Sequence, residues 1–333
     1  MATYREVKGY SIKKVDSDPA NPKVGQIWYN NSTKQIKVRT ETTASWSSGG
    51  NLGTTRDGLT GALASTQTAG LAFGGEDAPP PSAKSAKTEE YNGSSWSEQN
   101  DLSTSRKVCG GAGTQTAGLA FGGFTSPGLT VINSTEEYGG TSWTSGGNLG
   151  TTRYNLAGGG TQTAGLAHGG TPPSTAGLVN TEEYDGSSWT SGGNLSLARR
   201  AHAGAGTQTS GLAFGGSVNP NTDTNTTEEY NGSTWSSGGN LNQARRAFCG
   251  TGLQDAALAI GGFTPGNNRN ETEKYDGSSW TATATLATAR RYLGGCGTQS
   301  AGLGFGGYAP SAKTNATEEF TEVTANTKTI DVS

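Results

Sequence analysis

A four-part pattern recurs six times in this chain of 333 residues and restricts the folds open to it. In each unit an Arg follows a Trp by ten residues, a Gly-Gly pair closes a short apolar run, and a TEEY-like motif ends in an aromatic residue. The tryptophans are 45 to 50 residues apart, a period typical of propellers and other repeat folds. They are Trp46, Trp96, Trp143, Trp189, Trp235 and Trp280.

Each unit favours strands over helices. Gly, Thr and Ser interrupt every helical stripe of apolar residues. In the unit that begins at Arg199, the segments AHAGAGTQ, SGLAFGG, TTEEYNG and STWSS each have the length of a short strand, and an NG turn joins the last two. Four strands in each of six units predict an all-β, six-bladed β-propeller with four-stranded blades. Ala and Gly suit the crowded innermost strand, and Trp suits the outermost one.

The two ends of the repeat complement each other. The first Trp strand, around Ala44–Ser48, has no TEEY motif before it, and the last motif, which ends at Phe320, has no Trp after it. We expect this Trp strand to complete the last blade and close the ring, which hides two strand edges. The predicted division is an N-terminal attachment arm and hairpin at 1–42, the propeller at 43–322 and a C-terminal tail at 323–333, with strand-like alternation in the tail.

Composition and charge limit the function classes. The first 40 residues carry a net charge of +5 and the remainder carries −8, so we expect the basic leader to dock on an acidic partner. Basic residues do not alternate with stacking aromatics, which disfavours nucleic acid as a partner. An apolar run long enough for a membrane span is absent from the sequence, as is a signal peptide, so we expect production in a cytoplasm without membrane insertion. Cys109, Cys249 and Cys296 all lie shortly after the repeated Arg, in the same part of their units, and predict buried thiols.

The repeated charges predict a structural ring of ion pairs. The first Glu of the TEEY motif is present in every unit, and the second is replaced by Lys274 in one unit. We therefore expect the first Glu to face inward and pair with the repeated Arg, and the second to face solvent. The predicted ring consists of Arg56, Arg106, Arg153, Arg199, Arg245 and Arg290 with Glu89, Glu136, Glu182, Glu228, Glu273 and Glu318.

The order Arg, Gly-Gly, Tyr, Trp over residues 43–322 resembles the kelch repeat, whose members build β-propellers. The gap between Tyr230 and Trp235 is shorter than the usual kelch gap. The phrases GTQTAGLAFGG and TEEYNGSSW resemble kelch-like virion proteins of marine tailed phages, and VGQIWYNNSTKQIKVRT is similar to the start of phage tail-fibre and appendage proteins. The resemblance implies a structural virion protein in a tail fibre or appendage, assembled in the host cytoplasm, which contacts other virion proteins through residues 1–42.

The long loops between Gly-Gly and TEEY vary most among the units, and a constant scaffold with one variable face suits binding. We expect this face to attach to a host surface glycan or protein. The candidates are Phe124, Phe263, Tyr308, Asn219, Asn221, Asp223, Asn267, Asn268 and Arg269. The same aromatics would also serve as loop-packing residues. A purely architectural adaptor or decoration protein remains the alternative, and the sequence leaves homo-oligomerisation open.

Catalytic and metal sites are not indicated by the sequence. His168 occupies a slot that holds Phe in four other units, which favours a core position, and with His202 it makes no metal-ligand spacing. A nucleophile elbow and a phosphate loop are both absent from the sequence. The phrase EYDGSSW differs in spacing from the Asp-box of sialidases, and no Tyr/Arg cluster that breaks the six-fold pattern is recognisable. A glycan-cleaving enzyme is therefore the less favoured reading, and we expect no cofactor.

Overall fold

The computed structural model describes residues 12–41, 43–78, 83–125, 130–173, 177–219, 222–322 and 325–330. Over these ranges the chain forms strands, turns and bends without a helix, so no helix there could cross a membrane. The chain divides into two units, Ser45–Thr321 and the joined ends Met1–Ala44 and Glu322–Ser333. The predicted all-β class is confirmed.

The larger unit contains six four-stranded antiparallel sheets, each with its strands in the order first to fourth from one edge to the other. Sheets 1 to 3 consist of Thr60–Gly61, Gly70–Phe73, Thr88–Tyr91 and Trp96–Glu98; Gly110–Thr114, Ala117–Phe121, Thr135–Tyr138 and Trp143–Gly146; and Ala157–Thr161, Ala164–His168, Thr181–Tyr184 and Trp189–Ser191. Sheets 4 to 6 consist of Ala203–Gly206, Gly211–Phe214, Thr227–Tyr230 and Trp235–Ser237; Cys249–Leu253, Ala256–Thr264, Asn267–Tyr275 and Trp280–Ala282; and Gly294–Gly297, Ala301–Phe305, Thr317–Thr321 and Ser45–Ser48.

The fourth strand of sheet 6 comes from the beginning of the propeller sequence, as predicted. Trp46 lies opposite Phe320 in its register, and the two rings are 5.3 Å apart. Each first strand contacts the first strand of the next sheet, and sheet 6 contacts sheet 1 in the same way. The sheets therefore close into a propeller ring, with the tryptophan strands on its outside.

Crowding between first strands explains their small residues. A Cβ added to Gly111 would lie 2.5 Å from the carbonyl oxygen of Gly61, and one added to Gly158 would lie 2.5 Å from that of Gly111. The Gly-Gly pairs have a similar cause. In sheet 2 both Gly122 and Gly123 have positive φ, and the N–H of Gly123 donates to the carbonyl of Arg153 in the next sheet. Side chains would strain this link between sheets.

Repeated polar contacts join neighbouring sheets. Each repeated Trp donates its indole N–H to a Thr hydroxyl of the adjacent sheet at 2.8 to 3.1 Å. The repeated Gln, which lies in the phrase TQT in four of the six units, has an amide that donates to two backbone carbonyls of the adjacent sheet, as Gln162 does to Gly118 and Tyr138. These contacts explain why Trp and Gln recur with the same period as the sheets.

The second Glu of TEEY is not a solvent-facing residue, and that prediction is wrong. It is half-buried and accepts a hydrogen bond from the TEEY tyrosine of the next sheet, as Glu137 does from Tyr184 at 2.5 Å. Lys274 takes the place of this Glu in sheet 5, where the next sheet presents Phe320 in place of Tyr. A lysine is tolerated there because the partner has no hydroxyl to donate. The five pairs are Glu90–Tyr138, Glu137–Tyr184, Glu183–Tyr230, Glu229–Tyr275 and Glu319–Tyr91.

The smaller unit is a four-stranded sheet. Its strands are Lys13–Val15, Ile27–Asn30, Gln35–Glu41 and Ala325–Ile330. The predicted hairpin is present, with Ile27 opposite Val38 and Tyr29 opposite Ile36. The segment predicted as a separate tail instead pairs antiparallel with the hairpin strand Gln35–Glu41. Buried Trp28 donates its indole N–H to Asp18 at 2.9 Å, which ties the hairpin to the preceding arm.

Candidate functional site

The ends of the strands define two faces of the propeller. In sheet 2, Gly110 at the start of the first strand lies opposite Phe121 at the end of the second, and Phe121 lies opposite Thr135 at the start of the third. The Arg-containing connections and the Gly-Gly loops therefore leave from the same side, which we call the long-loop face. Three short strand pairs extend this face. They are Arg56–Asp57 with Glu76–Asp77, Phe124–Thr125 with Thr130–Val131, and Ser217–Asn219 with Thr222–Asp223.

The predicted arginines and first glutamates lie beneath this face and are buried. Each Arg pairs with the first Glu of its own sheet at 2.6 to 3.0 Å, and every one of the six arginine side chains is fully buried. Arg153 also donates to the carbonyls of Gly169 and Asn180. Burial lowers the pKa of Arg153 to about 10, and the charge of Glu182 opposes that shift. These twelve side chains are occupied by one another and by the backbone, which is a structural role.

Four of the predicted binding residues come together through two arginines that the sequence analysis did not single out. Arg246 lies over Phe263 at 5.1 Å, and Arg291 lies over Phe263 at 4.9 Å and over Tyr308 at 4.6 Å. Arg246 donates to Asp223 at 2.6 Å, and Arg291 donates to Asn268 at 3.0 Å. We call Asp223, Arg246, Phe263, Asn268, Arg291 and Tyr308 the arginine–aromatic cluster.

The other predicted binding residues are not part of this cluster. Phe124 contacts Lys84 and Tyr154 instead. Arg269 is half-buried and donates to Glu271 and Gln243. Asn267 is exposed in the hairpin turn, opposite Thr264. Asn219 lies at the end of a short strand opposite Thr222, and Asn221 lies outside the described residues.

A ring of backbone hydrogen bonds surrounds the propeller axis on the long-loop face. Each member lies two residues after the repeated Arg and has φ between 48 and 64°. The N–H of each donates to the carbonyl of the member in the preceding sheet at 2.7 to 2.9 Å, and the circle closes from Gly58 to Tyr292. The members are Gly58, Val108, Asn155, Ala201, Ala247 and Tyr292, and they line a central cavity. We call them the axial ring.

Tyr292 connects the axial ring to the arginine–aromatic cluster. It directly follows Arg291, and both Arg246 and Arg291 act electrostatically on its hydroxyl. Burial raises the pKa of Tyr292 although the nearby arginines oppose the shift, so the phenol remains protonated near neutral pH. The Lys107 ammonium lies 5.9 Å from its ring centroid. A Tyr/Arg cluster that breaks the six-fold pattern is therefore present beside the cavity, contrary to the expectation from sequence.

A patch of paired lysines and carboxylates lies around sheet 1. Lys107 pairs with Asp57 at 3.1 Å, Lys84 with Glu76 at 2.7 Å, and Lys313 with Glu76 at 2.8 Å. Burial alone would raise the pKa of Glu76, but hydrogen bonds from Lys313 and Lys84 lower it to about 2. Glu76 is therefore ionised, and the carboxylates of both Asp57 and Glu76 are already paired with lysines.

The two histidines and three cysteines belong to the core. His168 and His202 are buried, with Nδ1 of His168 3.0 Å from Nε2 of His202. Burial, together with the charges of Arg153 and Arg199, lowers the pKa of His168 to about 3. Cys109, Cys249 and Cys296 are free, buried thiols with raised pKa values. Among the described residues, no group of three or more His, Cys, Asp or Glu could hold a metal ion.

One signal in the sequence could have revealed the missed arginines. The repeated Arg is followed by a second Arg in three units, at Arg200, Arg246 and Arg291, whereas the same slot holds Asp57, Lys107 or Tyr154 in the others. A slot that varies beside an invariant one is a candidate for function. The stacking on Phe263 and Tyr308 was not predictable from that spacing, because it depends on contact between adjacent sheets.

Comparison with known proteins supports the fold. No family model matches the chain, and no curated protein matches it by sequence. Among solved structures, a β-propeller titled "Structure of YjhT" is similar with a TM-score of 0.68 at 12% identity. The similarity covers 84% of this chain and 99% of that one. The propeller class is thus shown by both the sheets and this likeness.

Proposed function

We propose that this chain is a non-enzymatic, kelch-like structural protein of a phage virion, in a tail fibre or appendage, and that its long-loop face attaches to the host surface. One observation carries the binding role: the interior repeats six times, whereas the long-loop face differs in every sheet and exposes an unrepeated cluster of arginines and aromatics. Binding modules place variable loops on a rigid scaffold in this way. The virion role rests on the sequence phrases that resemble phage proteins.

The terminal unit is proposed to attach the protein to other virion proteins through residues 1–42. Its support is the net charge of +5 over the first 40 residues. Removing residues 1–42 alone would leave Ala325–Ile330 without its partner strand, so both segments should be deleted together. The propeller keeps its closing strand, Ser45–Ser48, in that variant. We expect a folded propeller that is missing from purified particles, and incorporation of the truncated protein would contradict the attachment role.

A glycan-cleaving enzyme is the second candidate, because Tyr292 lies with Arg246 and Arg291 beside the central cavity. Two observations favour binding over cleavage. Asp57 and Glu76 are already paired with lysines and Asp223 with Arg246, and the pKa of Tyr292 is raised rather than lowered. A general acid or an activated nucleophile would need the opposite properties. Release of reducing sugar ends from host glycans by the purified protein, lost in Tyr292→Phe, would establish the enzyme.

The direct test is binding of the purified, labelled protein to intact host cells. Residues 218–222 and 265–267 should be replaced by Gly and Ser, because this spares Asn225 and Thr226, whose hydrogen bonds hold the loop base. As a control, Thr163→Lys with Thr209→Lys alters exposed turns on the opposite face. We expect saturable binding that is lost in the loop variant and kept in the control. Particles that contain the protein, together with no binding by any form, would indicate the purely architectural role.

A further inference from the structure

The arginine–aromatic cluster contains a cation that the protein leaves without an anion. Among the described residues, no carboxylate lies within ion-pair distance of Arg291, whose hydrogen-bond acceptor is the neutral amide oxygen of Asn268. By contrast, Arg246 pairs with Asp223, and Arg269 pairs with Glu271. An unmatched guanidinium on a body with a net charge of −8 is a candidate for recognition of an external anion.

Aromatic rings hold the guanidinium groups of Arg246 and Arg291 in place. Both Arg246 and Arg291 lie over the ring of Phe263, and Arg291 also lies over Tyr308. Each donates a hydrogen bond within the described part of the chain through Nη1 alone, so its remaining N–H groups are available to a ligand. Stacked arginines lose little further conformational freedom when they bind, which favours forked recognition of an oxyanion.

A third donor comes from the axial ring. The Tyr292 hydroxyl is close enough to both arginines for their charges to act on it, and Tyr292 is among the residues that line the central cavity. No hydrogen-bond acceptor for this hydroxyl is found among the described residues, so it can donate to a ligand oxygen. Two guanidinium groups and the phenol whose charge state they influence form a donor set for one carboxylate or sulfate group beside the cavity.

The surroundings of this donor set favour a sugar over a polyanion. The aromatic rings of Phe263 and Tyr308 and the amide of Asn268 are groups that pack against sugar rings and bond their hydroxyls. The lysines of the sheet 1 patch are paired with Asp57 and Glu76, so this patch offers a nucleic acid no run of free cations for its successive phosphates. A ligand with one anionic group on each sugar fits both features.

We propose that Arg246, Arg291 and Tyr292 bind the carboxylate or sulfate of an acidic host glycan at the mouth of the central cavity. This inference rests on the proposed attachment function, since it names the ligand class of the same face. The sugar backbone lies toward Phe263 and Tyr308. Higher salt weakens the binding because the recognition is largely electrostatic.

The test is calorimetric titration of the full-length protein with a hexauronate, a sulfated hexasaccharide and a neutral hexasaccharide of equal length. We expect binding of an acidic probe that weakens at least about tenfold in Arg246→Met with Arg291→Met, as loss of charged hydrogen bonds predicts. A matched control, Lys37→Met with Lys87→Met, removes the same number of positive charges from cations that already have carboxylate partners. It should bind within about twofold of the wild type, and Tyr292→Phe should bind more weakly than the wild type.

The outcomes separate this site from the attachment function. Comparison of the hexauronate with the sulfated probe identifies which anion the site prefers. Equal binding of the neutral probe, equal loss in both double variants, or no binding of either acidic probe would overturn the site. Tighter binding of an oligodeoxynucleotide of equal charge would overturn the sugar assignment. Cell binding that survives in Arg246→Met with Arg291→Met would support the attachment function and contradict this site. Hexauronate binding without cell binding would support this site and contradict the attachment function.

Discussion

Arg290 and Arg291 are consecutive in the chain, yet they belong to different parts of the molecule. Arg290 is fully buried and pairs with Glu318 at 2.7 Å, in an arrangement that all six sheets repeat. Arg291 is partly exposed, stacks on Phe263 and Tyr308, and donates to the neutral Asn268. The backbone of Arg291 forms a β-bridge with Tyr308, and Tyr292 then enters the axial ring. The side chains of Arg290 and Arg291 therefore point in different directions.

This contrast between Arg290 and Arg291 shows how a repeat separates folding from recognition. A side chain that must recur in every sheet is fixed by contacts that also recur, as the Arg–Glu pairs are. A side chain in the next slot has no such constraint, and that slot holds Asp57, Lys107, Tyr154 or Arg in different sheets. Variation beside constancy therefore marks the surface where a propeller of this kind can acquire a specific partner.

The largest predicted effect is on the buried member of the pair. Arg290→Met leaves Glu318 buried without its cation and removes hydrogen bonds to the carbonyls of Gly306 and Ala316. Breaking a buried ion pair in this way costs about 3 to 5 kcal/mol of unfolding free energy. Arg291→Met should cost about 1 kcal/mol or less, since it removes only partly exposed stacking contacts and one hydrogen bond to Asn268. Denaturant unfolding followed by tryptophan fluorescence measures both.

The comparison fails if the two substitutions cost similar amounts. Equal large losses would mean that Arg291 holds the long-loop face together, and its proposed ligand role would then be secondary. Equal small losses would mean that the propeller relaxes around an unpaired Glu318. Glu318→Gln with Arg290→Met provides the internal check, because removal of both charges should recover part of the loss.

Repetition made the fold and its buried pairs predictable. The Arg, Gly-Gly, Tyr and Trp spacing predicts the four strands of each sheet, and the complementary ends predict that Ser45–Ser48 completes sheet 6. The first Glu is assigned correctly because a carboxylate on the same strand face as the buried Tyr230 needs a cation within its own unit.

Contacts between sheets were not predictable in the same way. Glu137 appears solvent-facing from its alternation with Glu136, yet it accepts from Tyr184, which lies 47 residues further on. Arg246 and Arg291 were missed because their meeting over Phe263 requires two sheets to be adjacent at that loop. Periodicity shows which side of its own sheet a residue faces, and says little about what the next sheet presents to it.

The second prediction concerns the buried histidine pair, which departs from the aromatic residues that other sheets place in the same core slots. His168 and His202 occupy the slots that hold Phe214 and Phe248 in the next sheet, whose rings are 5.7 Å apart. Both histidines have pKa values lowered by burial, that of His168 to about 3. The unfolded chain takes up protons near pH 6.5 and the folded protein does not, so stability is full above that pH and falls as the solution is acidified.

We expect His168→Phe with His202→Phe to remove this acid sensitivity. Between pH 7 and pH 5 the wild type should lose about 2 kcal/mol relative to the variant from His168 alone, with a further loss from His202. Unfolding free energies of both proteins at several pH values give the difference directly, since other groups cancel. Parallel curves would show that the histidines take up protons as readily in the folded protein as in the unfolded chain, which would contradict the lowered pKa values.

We call the contact between two neighbouring sheets a seam. The smallest predicted effect concerns the seam between sheets 5 and 6, where the described residues form no Tyr–Glu hydrogen bond. Lys274 and Phe320 stand where the other five seams place Glu and Tyr. Lys274→Glu with Phe320→Tyr should install the missing bond and stabilise the protein by about 1 kcal/mol beyond the sum of the single changes. Glu183→Lys with Tyr230→Phe removes an existing bond of 2.5 Å and should show coupling of the same size when measured in its own double-mutant cycle.

Coupling in the second cycle but not the first would mean that the backbones of sheets 5 and 6 have diverged along with their side chains. Coupling in both would mean that the seams are equivalent, and that only the pair of residues at this position distinguishes them.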